Sequence, residues 1–165
     1  MDAYRAIVTK RDTRAFSDAP VDDEVLRRIL QAGRMAGSSK NTQPCRFVVL
    51  TQASRKEELA ACGTYAAFIP TAAVNIAVVL PPDGGALDAG RAAQNMLVAA
   101  NAEGLASCPV SMHDRERAAR VLDLPEGHSV AIVLAVGHPG NEPPERRRAP
   151  RLPLDEFVHH DRWRS

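Results

Sequence analysis

The chain of 165 residues is 45% hydrophobic and 25% charged, with 21 basic against 20 acidic side chains and a formal net charge of +1. That is the composition of one ordinary soluble domain, and so even a balance gives no long-range field to hold a polyanion, which argues against nucleic acid as a partner. Three cysteines, Cys45, Cys62 and Cys108, cannot complete a disulfide framework, and no stretch reaches the roughly 20 apolar residues of a membrane span; a cytoplasmic setting without signal peptide or membrane contact is expected.

In chain order, Asp2 can cap a short helix over about 3–10, followed by a polar run into Arg14-Ala15-Phe16, read as a loop or short strand. Asp22 is the N-cap of the best-signalled helix, which runs to about Met35. Asp23 and Glu24 lie at its positive end, and Val25, Leu26, Ile29 and Leu30 form one apolar stripe. Val21 and Leu26 have the spacing of a hydrophobic staple. A polar loop, 37–44, leads to the buried strand Phe47-Val48-Val49-Leu50, and Ser54 with Glu57 has capping-box spacing for a helix to about Cys62. Val74 to Leu80 is a second apolar strand, stopped by Pro81-Pro82. An alanine-rich helix over 87–103 closes at Gly104, Asp114 caps another to about Leu122, and Ser129 to Val136 is a third strong strand ending at Gly137-His138-Pro139. The segment 140–153 is rich in proline and arginine and reads as extended. The tail 154–165 carries Leu154, Phe157, Val158 and Trp163 and should dock on its own chain or on a partner. Helices alternating with apolar strands give an α/β or α+β class, one sheet covered on both faces, with no internal repeat or domain boundary.

No Gly-x-Gly-x-x-Gly, Walker loop, His-Glu-x-x-His or Gly-x-Ser-x-Gly occurs. Adjacent His159 and His160 are poor joint metal ligands, and Cys108 with His113 or His128 has no local support as a nucleophile and base. Three features remain. Lys10, Arg11 and Arg14 form one basic cluster and Arg146, Arg147, Arg148 and Arg151 a second; each alone reads as solvated charge, but together they would make an anion site. The loop Ser38-Ser39-Lys40-Asn41-Thr42-Gln43-Pro44 offers hydrogen-bonding groups to a planar polar ligand, or simply connects a helix to a strand.

Taken together these segments resemble the FMN-dependent nitroreductase family. Lys-Arg-Asp-Thr-Arg-Ala-Phe at 10–16 is similar to its N-terminal arginine signature, and Ala36 to Pro44 to its Ala-Pro-Ser-x-x-Asn-x-Gln-Pro loop. Gly90 to Leu97 followed by Gly104-Leu105 resembles its central helix and the turn after it. Gly137-His138-Pro139 resembles a strand exit, and Arg151-Leu152-Pro153-Leu154-Asp155-Glu156 the start of its tail. Lys10 in place of arginine, Gly37 and Cys45 in place of the frequent proline and tryptophan, and a short stretch from 51 to 88 depart from the pattern and imply a more open site.

The resemblance implies an α/β/α sandwich with a mixed central sheet, one domain over 1–165, and an intertwined homodimer with an exchanged C-terminal arm of about 140–165. It implies FMN at the subunit interface and NAD(P)H as donor. Lys10, Arg11 and Asp12 would lie around the phosphate and ribityl chain, Arg14 near the N1/O2 edge, and Arg151 at the phosphate. Ser38, Ser39 and Asn41 would come from the second subunit, and Pro109, Val110 and Ser111 would lie near N5. No side-chain acid or base is required, since a fixed cation supports the charge that flavin reduction develops. The implied activity is hydride transfer to a nitro compound, quinone or similar acceptor. A flavin store without turnover, and a specialised chemistry such as flavin fragmentation or reductive dehalogenation, stay open as alternatives.

Overall fold

The computed structural model describes residues 1–141 and 150–163. Five helices are seen there: α1 (Ala3–Thr9), α2 (Asp23–Arg34), α3 (Ala53–Ala60), α4 (Ala86–Ala102) and α5 (Arg115–Val121). Four strands, β1 (Arg46–Leu50), β2 (Val74–Leu80), β3 (Ala106–Val110) and β4 (Ser129–Gly137), make one sheet in the order β1-β2-β4-β3. Every neighbouring pair of strands is antiparallel. A parallel element is added outside them, the isolated bridge from Asp12 to Ser107.

The three-layer arrangement follows from residue alternation along the strands. Val74, Ile76, Val78 and Leu80 of β2 point to one face, with Leu134 and Val136 of β4, and meet Ile29 of α2 and Ala89, Ala93, Met96, Leu97 and Ala100 of α4. Ala77 of β2, Val133 and Ala135 of β4, and Cys108 and Val110 of β3 point to the other, against Leu59 of α3, Ala118 of α5 and the 3-10 turn Ile69–Thr71. The expected α/β/α sandwich is thus present in the chain, and Val21 and Leu26 both pack on the α2/α4 side.

Helix ends obey the caps read from sequence, with one correction. Asp22 accepts from the amides of Glu24 (2.8 Å) and Val25 (3.2 Å), and Asp2 and Asp114 accept from those of Arg5 and Arg117. Such caps contribute about 1 kcal/mol each. Gly104, at φ +78°, ends α4 in the left-handed conformation that glycine adopts without strain. The Ser54 capping box does not form: α3 begins at Ala53, with Gln52 as N-cap and no side-chain cap bond. Burial sets this register, since Leu59 is fully buried and Lys56 reaches under the helix to donate from Nζ to the Ala72 carbonyl at 2.8 Å.

Periodicity found three strands and overlooked β3, which is short, small in its residues and interrupted by Pro109. An edge position explains it. Ser107 turns its carbonyl outward to accept from the Thr13 amide (3.1 Å), and Pro109, two residues on, turns its nitrogen to the same outer edge, where no ladder bond is lost.

Helices α2 and α4 approach closely because Gly33 has no side chain. A Cβ there would stand 2.7 Å from Met96 Cγ and 3.0 Å from Phe47 Cζ, whereas one on Gly90 of α4 would meet nothing within 4 Å. Gly33→Ala is therefore expected to destabilise by about 1–3 kcal/mol through overpacking, and Gly90→Ala to stabilise by up to about 1 kcal/mol through helix propensity. Urea denaturation of the two variants measures both signs.

Candidate functional site

The N-terminal cluster becomes a structured element by being sewn to the sheet. Asp12 bridges Ser107 at the outer edge of β3, the Ser17 amide donates to the His138 carbonyl at 3.0 Å, and the Gly140 amide returns a bond to the Ala15 carbonyl at 3.1 Å. Phe16 bridges Pro139 in the same run. Residues 12–17 therefore lie along β3 and then along the exit of β4, which places Lys10, Arg11, Asp12 and Arg14 beside one sheet edge.

Each of these side chains has a definite setting. Lys10 is ion-paired with Asp12. Arg11 donates from Nη1 to the carbonyls of Val8 (2.8 Å) and Lys10 (2.7 Å), which fixes its stem at the end of α1. Arg14 is exposed, and its guanidinium carbon stands 5.2 Å from the centroid of the Phe68 ring. That contact holds a cation over an aromatic face at the sheet edge. The Cys108 thiol, buried at the same place, is pushed up from its ordinary pKa by burial and brought back in part by a hydrogen bond with Arg14; Asp12 raises it and Lys10 lowers it. Cys108 belongs to the buried core cluster of the α3 and α5 face, with its thiol toward the Pro109 carbonyl (3.6 Å), while His113 is bonded to the Thr64 amide and His128 faces the Glu126 carbonyl. Cys108 is thus a structural thiol beneath the cationic segment.

Of the residues singled out from sequence, Pro109, Val110 and Ser111 join this group: Val110 is buried at the end of β3 and Ser111 is exposed just past it. Ser38, Ser39 and Asn41 do not. They lie in the loop that enters β1, at the opposite edge, three strand spacings or roughly 14 Å away across the sheet. In this loop Lys40, Asn41 and Gln43 all have positive φ (49°, 55° and 50°), at a cost of about 1 kcal/mol or more apiece. The loop is held there by the Gln43 amide donating to Ser38 Oγ (2.8 Å) and Arg46 donating to the Gln43 carbonyl (2.8 Å). It borders a cleft of 710 Å³ between α2, β1 and the start of α4, which Arg27, Arg34, Cys45 and Asp88 also line. The Cys45 thiol is pushed up by burial and then by Asp88, against a smaller opposing effect of Arg46.

Arg151 is exposed in the tail and no hydrogen bond or ion pair among the described residues ties it to the N-terminal cluster. Arg146, Arg147 and Arg148 lie outside the described residues. Among the described residues the tail is not docked on its own chain: Leu154, Phe157 and Trp163 are 77%, 64% and 80% exposed. Sequence reasoning missed Phe68 and the backbone of Ser107. The signal for Phe68 was weak but present, as one of only four phenylalanines in the chain.

An α/β/α sandwich that presents arginines and a strand end from one sheet edge, and a fixed polar loop from the other, is a scaffold for a planar ligand with an anionic group. Within that class the chain belongs to the nitroreductase family, whose sequence model matches residues 7–80 and 65–138. It is 31% identical, over 99% of its length and 75% of the relative's, to the NADPH-flavin oxidoreductase of Vibrio harveyi. A solved structure of NADPH:FMN oxidoreductase from Vibrio harveyi, complexed with NAD+, superposes with a TM-score of 0.88 at 28% identity, covering 99% of this chain and 78% of that one. A protein from Desulfovibrio desulfuricans assigned as a nitroreductase, solved in complex with FMN, is 33% identical with a TM-score of 0.82 and 99% coverage of both chains.

The opposed influences on Cys108 give a measurable sign. Arg14→Leu removes a group that favours the thiolate and should raise the Cys108 pKa further, whereas Asp12→Asn should lower it. The pH titration of the Cys108 13Cβ shift in the folded protein reads both.

Proposed function

We propose that this chain is an FMN-dependent NAD(P)H oxidoreductase acting on an electron-poor acceptor such as a nitro compound or quinone. The observation that carries the reading is the cationic segment 10–14 sewn along β3, with Arg14 held over Phe68 at the edge where Pro109 and Val110 end the strand and Ser111 follows it. The donor set fits the cofactor. Lys10 and Arg11 offer positive charge to a phosphate, Asp12 an acceptor to hydroxyls, and Arg14 a guanidinium with an aromatic support. The names of the FMN-bound and NADPH-linked relatives support the choice of cofactor and donor.

When bound, FMN supplies two-electron chemistry, taking hydride from a nicotinamide and giving it to an acceptor. The protein's part is electrostatic and steric. Arg14, fixed over Phe68 before reaction begins, stabilises negative charge developing beside it without reorganising. The end of β3, with Val110 buried and Ser111 exposed, gives a rigid floor with backbone polar groups on which a ring system can be positioned. The Arg151 guanidinium adds charge to the phosphate region from the tail.

The same reading makes the protein a homodimer. Ser38, Ser39 and Asn41 cannot reach the Arg14 edge of their own chain across the sheet, so a second copy must supply them, and the exposed apolar tail is the surface for that association. The whole of 1–165 acts as one flavin-binding domain in the cytoplasm, with the described tail residues 150–163 laid on the partner subunit; the rest of the expected arm of about 140–165 falls largely outside the described residues.

Purified protein should be yellow and release about one FMN per chain, and it should oxidise NAD(P)H with menadione faster than free FMN does. Arg14→Ala should weaken FMN binding by about 10- to 100-fold, the worth of one charge-assisted hydrogen bond, while Arg117→Ala on α5 should not. Colourless protein that takes up no FMN, or equal behaviour of the two variants, contradicts the proposal.

A further inference from the structure

Among the described residues, three polar or charged ones are buried: Lys56, Asn75 and Ser107. Ser107 lies in β3, where the N-terminal segment is sewn on, and the other two converge on the 3-10 turn Ile69–Thr71. Lys56 comes from α3 and donates from Nζ to the Ala72 carbonyl at 2.8 Å; Asn75 comes from β2 and donates from Nδ2 to the Ile69 carbonyl at 3.0 Å. The turn begins directly after Phe68, whose carbonyl accepts from the Thr71 amide at 3.2 Å and from Thr71 Oγ1 at 2.8 Å. The ring of Phe68 is the one over which Arg14 stands.

These two bonds run against what stability alone selects. Leu59, Phe68, Ile69 and Ala72 belong to one apolar cluster, and a polar head group taken out of water into such surroundings is costly unless it is fully hydrogen-bonded. Asn75 is not, since its Oδ1 has no partner among the described residues. Apolar side chains at 56 and 75 would avoid that cost, but a three-residue 3-10 turn does not hold its shape by its own bonds. What Lys56 and Asn75 add is a fixed backbone, pinned from a helix on one side and from the central sheet on the other, for the turn that starts at Phe68.

We infer that Lys56 and Asn75 are positioning residues: bonded to the two ends of the 3-10 turn, they fix Phe68 and, through its ring, the Arg14 guanidinium at the sheet edge. The hold on Arg14 stands on the geometry alone. Its bearing on a flavin rests on the oxidoreductase reading above, in which a guanidinium fixed before reaction stabilises the charge that reduction develops, and one free to swing loses part of that effect by reorganising. Neither residue is assigned a contact with cofactor or acceptor, and no proton transfer is assigned to either.

The test is a double-mutant cycle between Lys56→Met, which keeps the stem and removes the donor, and Phe68→Leu, which removes the ring. Burial raises the Cys108 pKa and Arg14 counters it, while Lys56 is not among the charges acting on that thiol, so in FMN-free protein the 13Cβ titration of Cys108 reports where Arg14 stands. Lys56→Met should raise the Cys108 pKa, in the same direction as Arg14→Leu. With FMN added it should weaken binding about 2- to 5-fold, the worth of one cation–π contact, and make the midpoint potential of the bound flavin more negative. Once Phe68→Leu is present, Lys56→Met should add nothing to any of the three readings, although it still lowers stability. Lys56→Arg, which retains a donor, should recover part of each, and Asn75→Leu should act as Lys56→Met does. If the Cys108 titration is unchanged by Lys56→Met, or moves as far without the Phe68 ring, the inference is overturned and the oxidoreductase reading stands. If Cys108 responds while FMN affinity and potential do not, the hold on Arg14 stands and its place at the flavin falls. Protein that takes up no FMN overturns the oxidoreductase reading, and the Cys108 titration still decides the hold on Arg14.

Discussion

The antiparallel pairing of β2 with β4 governs the rest of the molecule. All seven residues of β2 are buried, and β4 is buried along most of its length, so both faces of the sheet must be covered by helices. With aromatic residues at only 4% of the chain, that cover is built from alanine, valine, leucine and isoleucine, and it closes through near approaches such as Gly33 against Met96. A sheet filled on both faces leaves only its edges and strand ends for binding. β1 and β3 are those edges, and the candidate residues lie beside them.

The two edges are used differently. At β3 the chain's own N-terminal segment takes up the outward carbonyl of Ser107, which converts a liability into a mount for Arg14. At β1 the approach is through a loop held in left-handed conformation at Lys40, Asn41 and Gln43, and strain of that kind persists only where the surroundings enforce it. Two halves built to different designs stand on edges that one chain does not bring together, which is the ground on which we propose a second subunit as a component of the site. The exposed leucine, phenylalanine and tryptophan of the tail have the same logic, since their apolar area is unfavourable in water until a partner covers it.

How much of this was legible in the sequence depends on where the information resides. The α2 helix was plain because its cap, its acidic first turn and its apolar stripe all agree, and β2 because seven consecutive residues are buried. The Ser54 box was a local signal overridden by tertiary burial of Lys56 and Leu59. β3 was hidden because an edge strand that includes Pro109 and small residues lacks both periodicity and apolar mass, although the resemblance placed a strand there. For the site, the basic residues were visible as a cluster, but their support was not. Phe68 lies 54 residues from Arg14 in the chain, and no pattern of spacing reports a contact of that range. The separation of Ser38, Ser39 and Asn41 from Arg14 is a property of strand order, which only the assembled sheet reveals.

The account's central claim is that each site draws on two chains, and subunit complementation tests it most directly. One chain carries Arg14→Ala and the other Asn41→Gly, the latter chosen because glycine tolerates the positive φ at that position. Each homodimer alone should have little NAD(P)H-dependent activity. When the two are co-expressed, random pairing makes half the dimers mixed, each with one site intact, so activity should return to about a quarter of wild type. If activity stays at the mean of the two parent variants, Arg14 and Asn41 do not serve a shared intersubunit site and the account is contradicted.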